Sequence, residues 1–302
     1  MLADGKSALA GIALALLAVA CFAVLDTTTK FVGATVPVLM ALWFRYFFQA
    51  AATTAVVLPL RGLSVLRTAH PKFHCLRGLL LLLSSLFAFL SLKYMPVAEF
   101  TAVVAITPLV LTLLAATALA EKVSALRWSL VGGGFVGTLI ILRPGGEDFD
   151  WTLLLPLCVV VTNTGFQVLT SKLAKTEDPM TMHLYTGWIG ALLASVALPF
   201  VWTSLPSWSL WGWLMLMGAA ATVGHFMLIL AYMRTPAATL TPYLYAQIGF
   251  AMLGGWVAFS YVPDRWSLVG VLLIAFCGAV GAWLTARESR ALSQFSVRPA
   301  ES

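Results

Sequence analysis

A few ionisable and amide side chains sit inside long apolar runs of this sequence, and such groups are the ones able to hold or move a solute. The first are Asp26 and Lys30, in Asp26-Thr-Thr-Thr-Lys30. Spacing of i,i+4 puts them on one helical face, in the favourable acid-before-base order. They can receive the ammonium and carboxylate of a zwitterion or couple to a proton. The plainer reading is a local pair, with Lys30 snorkelling to the surface. Arg45 lies within the next run and can grip a carboxylate in bidentate fashion, or pair structurally. Asn163 and Gln167 are again four apart. Neutral amides can bond both ends of an amino acid without the desolvation cost of a fixed charge, or they can tie helices together. Further on, Thr241-Pro242-Tyr243 precedes Gln247. Pro242 removes a backbone hydrogen bond and invites a break, and Tyr243 and Gln247 share a face by the same spacing. Pro108 is its counterpart in the first half. Glu99, near Lys93, and His225 are candidates for gating or proton coupling, set against a solvated pair and a satisfied membrane histidine.

The composition says what must position these groups. Of 302 residues, 61% are hydrophobic and 10% charged. A soluble protein carries about 25% charged residues, so this chain needs lipid as its solvent. The net charge of +6 forms no basic stripe and gives no nucleic-acid surface. Cys21, Cys75, Cys158 and Cys277 are scattered, without a CxxC or Cys/His cluster, so neither a disulfide nor a metal site is expected. There is no P-loop, no H-E-x-x-H and no G-x-S-x-G. The reading is a non-enzyme without a cofactor, whose partners are a small-molecule solute and the bilayer, as a monomer or homodimer.

A helix needs about 20 apolar residues to cross the hydrocarbon. Ten segments qualify: 8–33, 36–60, 72–93, 96–120, 125–143, 151–173, 179–203, 207–232, 236–261 and 266–286. The first is too long for a signal-peptide core. Residues 287–302 read as a polar tail. With the N-terminus inside, 13 of the 18 Lys and Arg residues fall in or near inner connections, Arg61, Arg67, Lys72 and Arg77 in one of them. Only Lys30, Lys93, Arg143 and Arg265 fall outside, so both termini are expected in the cytoplasm.

The chain also repeats itself. Tyr94-Met95 recurs as Tyr232-Met233, 138 positions on. At the same offset Thr101 meets Thr239, and Arg127-Trp-Ser-Leu-Val-Gly132 meets an identical Arg265-Trp-Ser-Leu-Val-Gly270. This is an internal duplication. Five segments per half is an odd number, so the second copy enters the membrane the other way round. The expected fold is all-α: ten transmembrane helices as two five-helix inverted repeats, 8–143 and 151–286. In transporters of that build the solute site lies near the midplane, between the repeats.

The stretch from Val97 to Gly145 resembles the first EamA domain of the drug/metabolite transporter superfamily. The likeness rests on the small residues after Pro96, the mid-helix Pro108, Glu121 closing the fourth segment, and the Gly-rich fifth segment. The second copy departs from it, with Phe259 where Glu121 stands and Ala246 where Pro108 stands. The resemblance implies a central cavity walled by helices 1, 3, 4, 6, 8 and 9, with helices 5 and 10 peripheral. The ten-helix layout resembles bacterial inner-membrane amino-acid exporters. It implies export of a small metabolite, an amino acid of aromatic or apolar type included, by alternating access. Transport of other metabolites or drug-like amines, import, and a non-transporting structural role stay open on the residues alone. Green fluorescent protein fused after Ser302 should fluoresce, and alkaline phosphatase fused there should be inactive. The reverse pattern would overturn the orientation.

Overall fold

The computed structural model describes residues 5–107, 109–110, 125–143, 150–174, 176–205, 207–235, 240 and 243–295. Pro108, Glu121, Lys122, Thr239, Thr241 and Pro242 therefore lie outside the described residues. Among the described residues the chain forms ten α-helices and no strand. They are α1 (Gly5–Val32), α2 (Val38–Arg61), α3 (Pro71–Tyr94), α4 (Val97–Val104), α5 (Ala125–Leu142), α6 (Leu155–Leu173), α7 (Pro179–Val201), α8 (Trp208–Arg234), α9 (Ala246–Phe259) and α10 (Arg265–Phe295). Starts follow local chemistry. Prolines open α3 and α7, where a missing N–H costs nothing. The Asp178 carboxylate accepts the Met180 and Thr181 N–H groups at 3.0 Å each. Helix α10 runs on to Phe295, past the expected end at 286, because Ala286 to Gln294 contains neither Gly nor Pro. Helices α1, α2, α3, α7 and α8 have the length and apolarity to cross a membrane.

Each helix of the first half packs chiefly on one from the second: α1 on α8, α2 on α7, α3 on α6, α4 on α9 and α5 on α10. Exchanging helix n with helix n+5 leaves this set of pairs unchanged. It also turns the α2–α8 contact into α7–α3 and α1–α9 into α6–α4, both of which are present. The partners run antiparallel. Arg61, ending α2, bonds Asp178, before α7, at 2.7 Å, while Trp43 near the start of α2 donates to Ser195 at 2.8 Å. Arg143, after α5, bonds Asp264, before α10. That contact, with Ser267, holds the Asp264 carboxyl below the usual carboxylate range. Antiparallel n, n+5 partners are what a five-helix unit inserted in both directions produces.

Helices α5 and α10 form the outer pair. Phe135, Leu272 and Phe276 point away from the protein. Their glycines pack against each other's helix within the chain, Gly133 on Cys277 and Gly137 on Ile274. A Cβ on Gly137 would stand 2.7 Å from Ile274 Cγ1 and 3.0 Å from the Gly270 carbonyl oxygen. Gly132, one turn away, has nothing within 4 Å. Gly137→Leu should therefore cost about 1–3 kcal/mol or more, seen as a lower melting temperature in detergent. Gly132→Leu should leave the melting temperature within a degree or two.

Candidate functional site

The site begins where two helices break. Helix α4 ends at Val104, Ala105 and Ile106 form a turn, and helix resumes at Thr107. Pro108 has no N–H for the Val104 carbonyl. The Thr107 hydroxyl donates to that oxygen instead, at 2.6 Å. The Leu109 N–H goes to the Ile106 carbonyl at 2.8 Å, which takes the Ala105 carbonyl out of the regular ladder. In the second half the chain turns at Tyr245, three residues after Pro242. Both breaks line one cavity of about 1100 Å³, the space at its mouth included. Its wall comes from α1, α3, α4, α6, α8, the turn before α9 and α9 itself, as the resemblance implied. Much of it is apolar, with Phe22, Phe89, Phe100 and Phe166 among the lining residues.

Asp26 is buried on this wall and accepts a hydrogen bond from Gln247 Nε2 at 3.2 Å. Helix α2, expected to stand back, also reaches the cavity through Arg45. Small residues explain it: Ser84 and Ser85 of α3 leave room for the long side chain. The guanidinium lies over the Tyr46 ring, 4.5 Å from its centroid, and Nη1 donates to Ser85 Oγ. Ser85 spends its own proton on the Leu81 carbonyl at 2.7 Å, so the Tyr46 hydroxyl also donates to Ser85, at 2.9 Å. Among the described residues Arg45 Nε is buried without a hydrogen-bond partner. Asn163 and Gln167 both face the cavity from α6, and neither has a hydrogen-bond partner among the described residues. His225 lines it from α8.

Other expected groups are placed elsewhere. Lys30 does not pair with Asp26 and does not line the cavity. Its Nζ donates to the Leu92 and Met95 carbonyls at 2.9 Å each. The end of α3 leaves carbonyls unpaired and carries partial negative charge, so a cation four residues from Asp26 is better held there. Tyr243 is 37% exposed and absent from the wall. The turn at Tyr245 cancels the i,i+4 relation to Gln247 and brings Tyr245 to the cavity instead. Gly278 of α10 makes the notch for that ring, since a Cβ there would fall 1.9 Å from Tyr245 Cζ. Glu99 meets not Lys93 but the Tyr261 hydroxyl, at 2.6 Å. Helix α9 ends on Ser260 in the left-handed region (φ 51°), and the chain reversal delivers Tyr261 to the first turn of α4. Pro108, Thr241 and Pro242 lie outside the described residues.

Arg77 was counted with an inner loop. It is 1% exposed and lies well inside α3. Its Nε donates to Thr170 Oγ1 at 2.8 Å and its Nη1 to the Met182 carbonyl at 2.9 Å and to Thr186 Oγ1. The guanidinium also lies 4.7 Å from the centroid of Phe166, a ring of the cavity wall. Its sequence signal was available: it stands six residues after the Pro71 that opens α3.

Among the described residues, ten helices paired across the two halves around a cavity with polar groups on its wall make a multi-pass membrane transporter of small molecules. Residues 9–143 match the EamA-like transporter family. The chain is 26% identical over 269 residues to the S-adenosylmethionine uptake transporter of Rickettsia conorii, covering 89% of this chain and 91% of that one. It is 29% identical over 255 residues to the riboflavin transporter of Vibrio cholerae, 80% and 83% of the two chains. It is 25% identical over 277 residues to the pseudopaline exporter of Pseudomonas aeruginosa, 89% and 95%. A crystal structure of a protein 22% identical covers 94% of this chain and 99% of its own, with a TM-score of 0.65, a likeness of fold alone.

Arg77→Met keeps the stem and removes the donors to α6 and α7. Hydrogen bonds from a charged group are worth about 1.5–3 kcal/mol each, so the melting temperature in detergent should fall by several degrees. Arg77→Lys should recover only part of the loss, since a point charge cannot reach acceptors on both helices as the fork does.

Proposed function

We propose that this protein carries a zwitterionic amino-acid-type metabolite with an apolar or aromatic side group across the bacterial inner membrane, by alternating access around this cavity. The observation that carries the reading is a carboxyl group, Asp26, and a guanidinium, Arg45, on the wall of one largely apolar cavity. A buried charge is costly unless paired. The substrate's ammonium would sit at Asp26 beside Gln247, and its carboxylate at Arg45. Asn163 and Gln167 would hydrogen-bond its polar atoms, and the phenylalanine rings would cover its apolar part. S-adenosylmethionine, the solute named for the Rickettsia conorii relative, is itself an amino-acid zwitterion joined to an aromatic base. The resemblance to amino-acid exporters points to export. The relatives are named for uptake and for export alike, and alternating access runs either way down a gradient.

The test is uptake of labelled phenylalanine, tryptophan and S-adenosylmethionine into proteoliposomes holding the purified protein. At least one should show saturable flux. Asp26→Asn and Arg45→Gln should each reduce it about 10- to 100-fold, the loss of one charge-assisted contact, while the protein stays folded. The Asn163→Ala/Gln167→Ala double variant should raise the half-saturating concentration. Absence of flux for all three from folded protein, or variants that transport normally, would overturn the reading.

A further inference from the structure

His225 has a feature that a merely structural histidine does not need. Its Nδ1 lies 2.9 Å from the Ala221 carbonyl oxygen, one turn back on α8. A carbonyl only accepts, so Nδ1 carries the proton and donates. In the neutral ring Nε2 is then a lone-pair acceptor, and that nitrogen has no partner among the described residues. Two rings frame the imidazole. Phe22 meets it edge-on with centroids 4.8 Å apart, and Phe166 stands 6.1 Å away at a similar tilt. All three side chains line the cavity. Phe166 in turn rests on the Arg77 guanidinium, which holds the frame against α6 and α7. Phe22 stands one turn before Asp26 on the same face of α1.

A fixed acceptor between aromatic faces selects its ligand. Carboxylate, carbonyl and phosphate oxygens bring only lone pairs to Nε2 and are repelled. An aliphatic ammonium is better held at the Asp26 charge. A flat ring that carries its own N–H satisfies both the acceptor and the rings, in offset or edge-on contact. We infer that His225 Nε2, framed by Phe22 and Phe166, is a subsite for an aromatic heterocycle bearing an N–H donor, and that it sets which side groups the transporter accepts. The inference rests on the cavity being the solute site, as proposed above, and not on the zwitterion chemistry assigned to Asp26 and Arg45.

The experiment measures binding of matched ligands to the purified full-length chain by titration calorimetry. The pairs are adenosine with N6,N6-dimethyladenosine, and tryptophan with 1-methyltryptophan. Each pair differs by the ring-borne N–H and added methyl groups. The wild type should prefer the N–H form of at least one pair by about three- to tenfold. His225→Phe keeps a flat ring without the acceptor and should erase that preference. His225→Gln, which restores an acceptor oxygen, should recover part of it. The subsite is overturned if the wild type binds none of the four, if it shows no preference in either pair, or if the preference survives in His225→Phe. S-adenosylmethionine is titrated alongside. If adenosine binds as tightly as S-adenosylmethionine while the His225 effect holds, the zwitterion reading fails and the subsite stands.

Discussion

Close antiparallel contact between helices of opposite halves is the constraint on which everything else in this fold depends. Among the described residues, no helix of the first half has its main neighbour in its own half. In lipid there is no hydrophobic drive between helices, so association rests on close packing and on side-chain hydrogen bonds. Small residues supply the closeness: Gly190 lies against the Tyr46 ring, Gly187 against the backbone of Ala50, and Gly224 against Phe22. With the outer pair α5 and α10 and the cross-pairs α1–α8 and α3–α6 fixed this way, a space is left around the two interrupted segments, α4 and the approach to α9. The cavity is a product of interleaving and belongs to neither half alone.

The buried cations show how such a bundle tolerates charge. Among the described residues Arg77 has no bonded carboxylate, yet its donors meet two threonine hydroxyls and a carbonyl, and its flat face lies on Phe166. It is satisfied, and its role is to hold three helices together. Arg45 is not satisfied in the same way. One donor meets Ser85 while Nε has no partner among the described residues, and the side chain borders the cavity. The contrast between a guanidinium bonded to two neighbouring helices and one bonded only to Ser85 at the cavity edge stands on hydrogen bonds alone. Lys30 belongs with the clamps, since it closes the end of α3.

Much of this was legible in the sequence. Length and apolarity gave the helices, and the repeated Arg-Trp-Ser-Leu-Val-Gly with an odd segment count gave the inverted halves. On α6, the spacing of Asn163 and Gln167 placed both on one wall because that helix is regular there. The same rule failed at Tyr243 and Gln247, where the turn at Tyr245 resets the register. It also failed for Asp26 and Lys30, although the helix is regular. Periodicity reports a shared face but not which neighbour arrives opposite it, and the end of α3 outcompetes the local acid for Lys30. Helix α2 was not expected at the cavity for a similar reason, since the reach of Arg45 depends on Ser84 and Ser85 of another helix. The Glu99–Tyr261 contact needs a left-handed Ser260, a conformation with no mark in that residue type.

The interruption of α4 has a consequence for how this protein can diverge. At that point Pro108 has no N–H and the Leu109 N–H goes to the Ile106 carbonyl, so the Ala105 carbonyl leaves the regular ladder, and Val104 and Ala105 both border the cavity. Substitutions at Val104 or Ala105 change the bulk of the wall and leave its carbonyls in place. A lineage descended from this gene can therefore exchange nearly every cavity side chain, and with them its cargo, and still inherit the same backbone acceptors, so long as the proline persists. Diversity of solutes on one scaffold then requires no reinvention of the polar patch, and comparison of side chains alone will understate what distant members of such a lineage have in common.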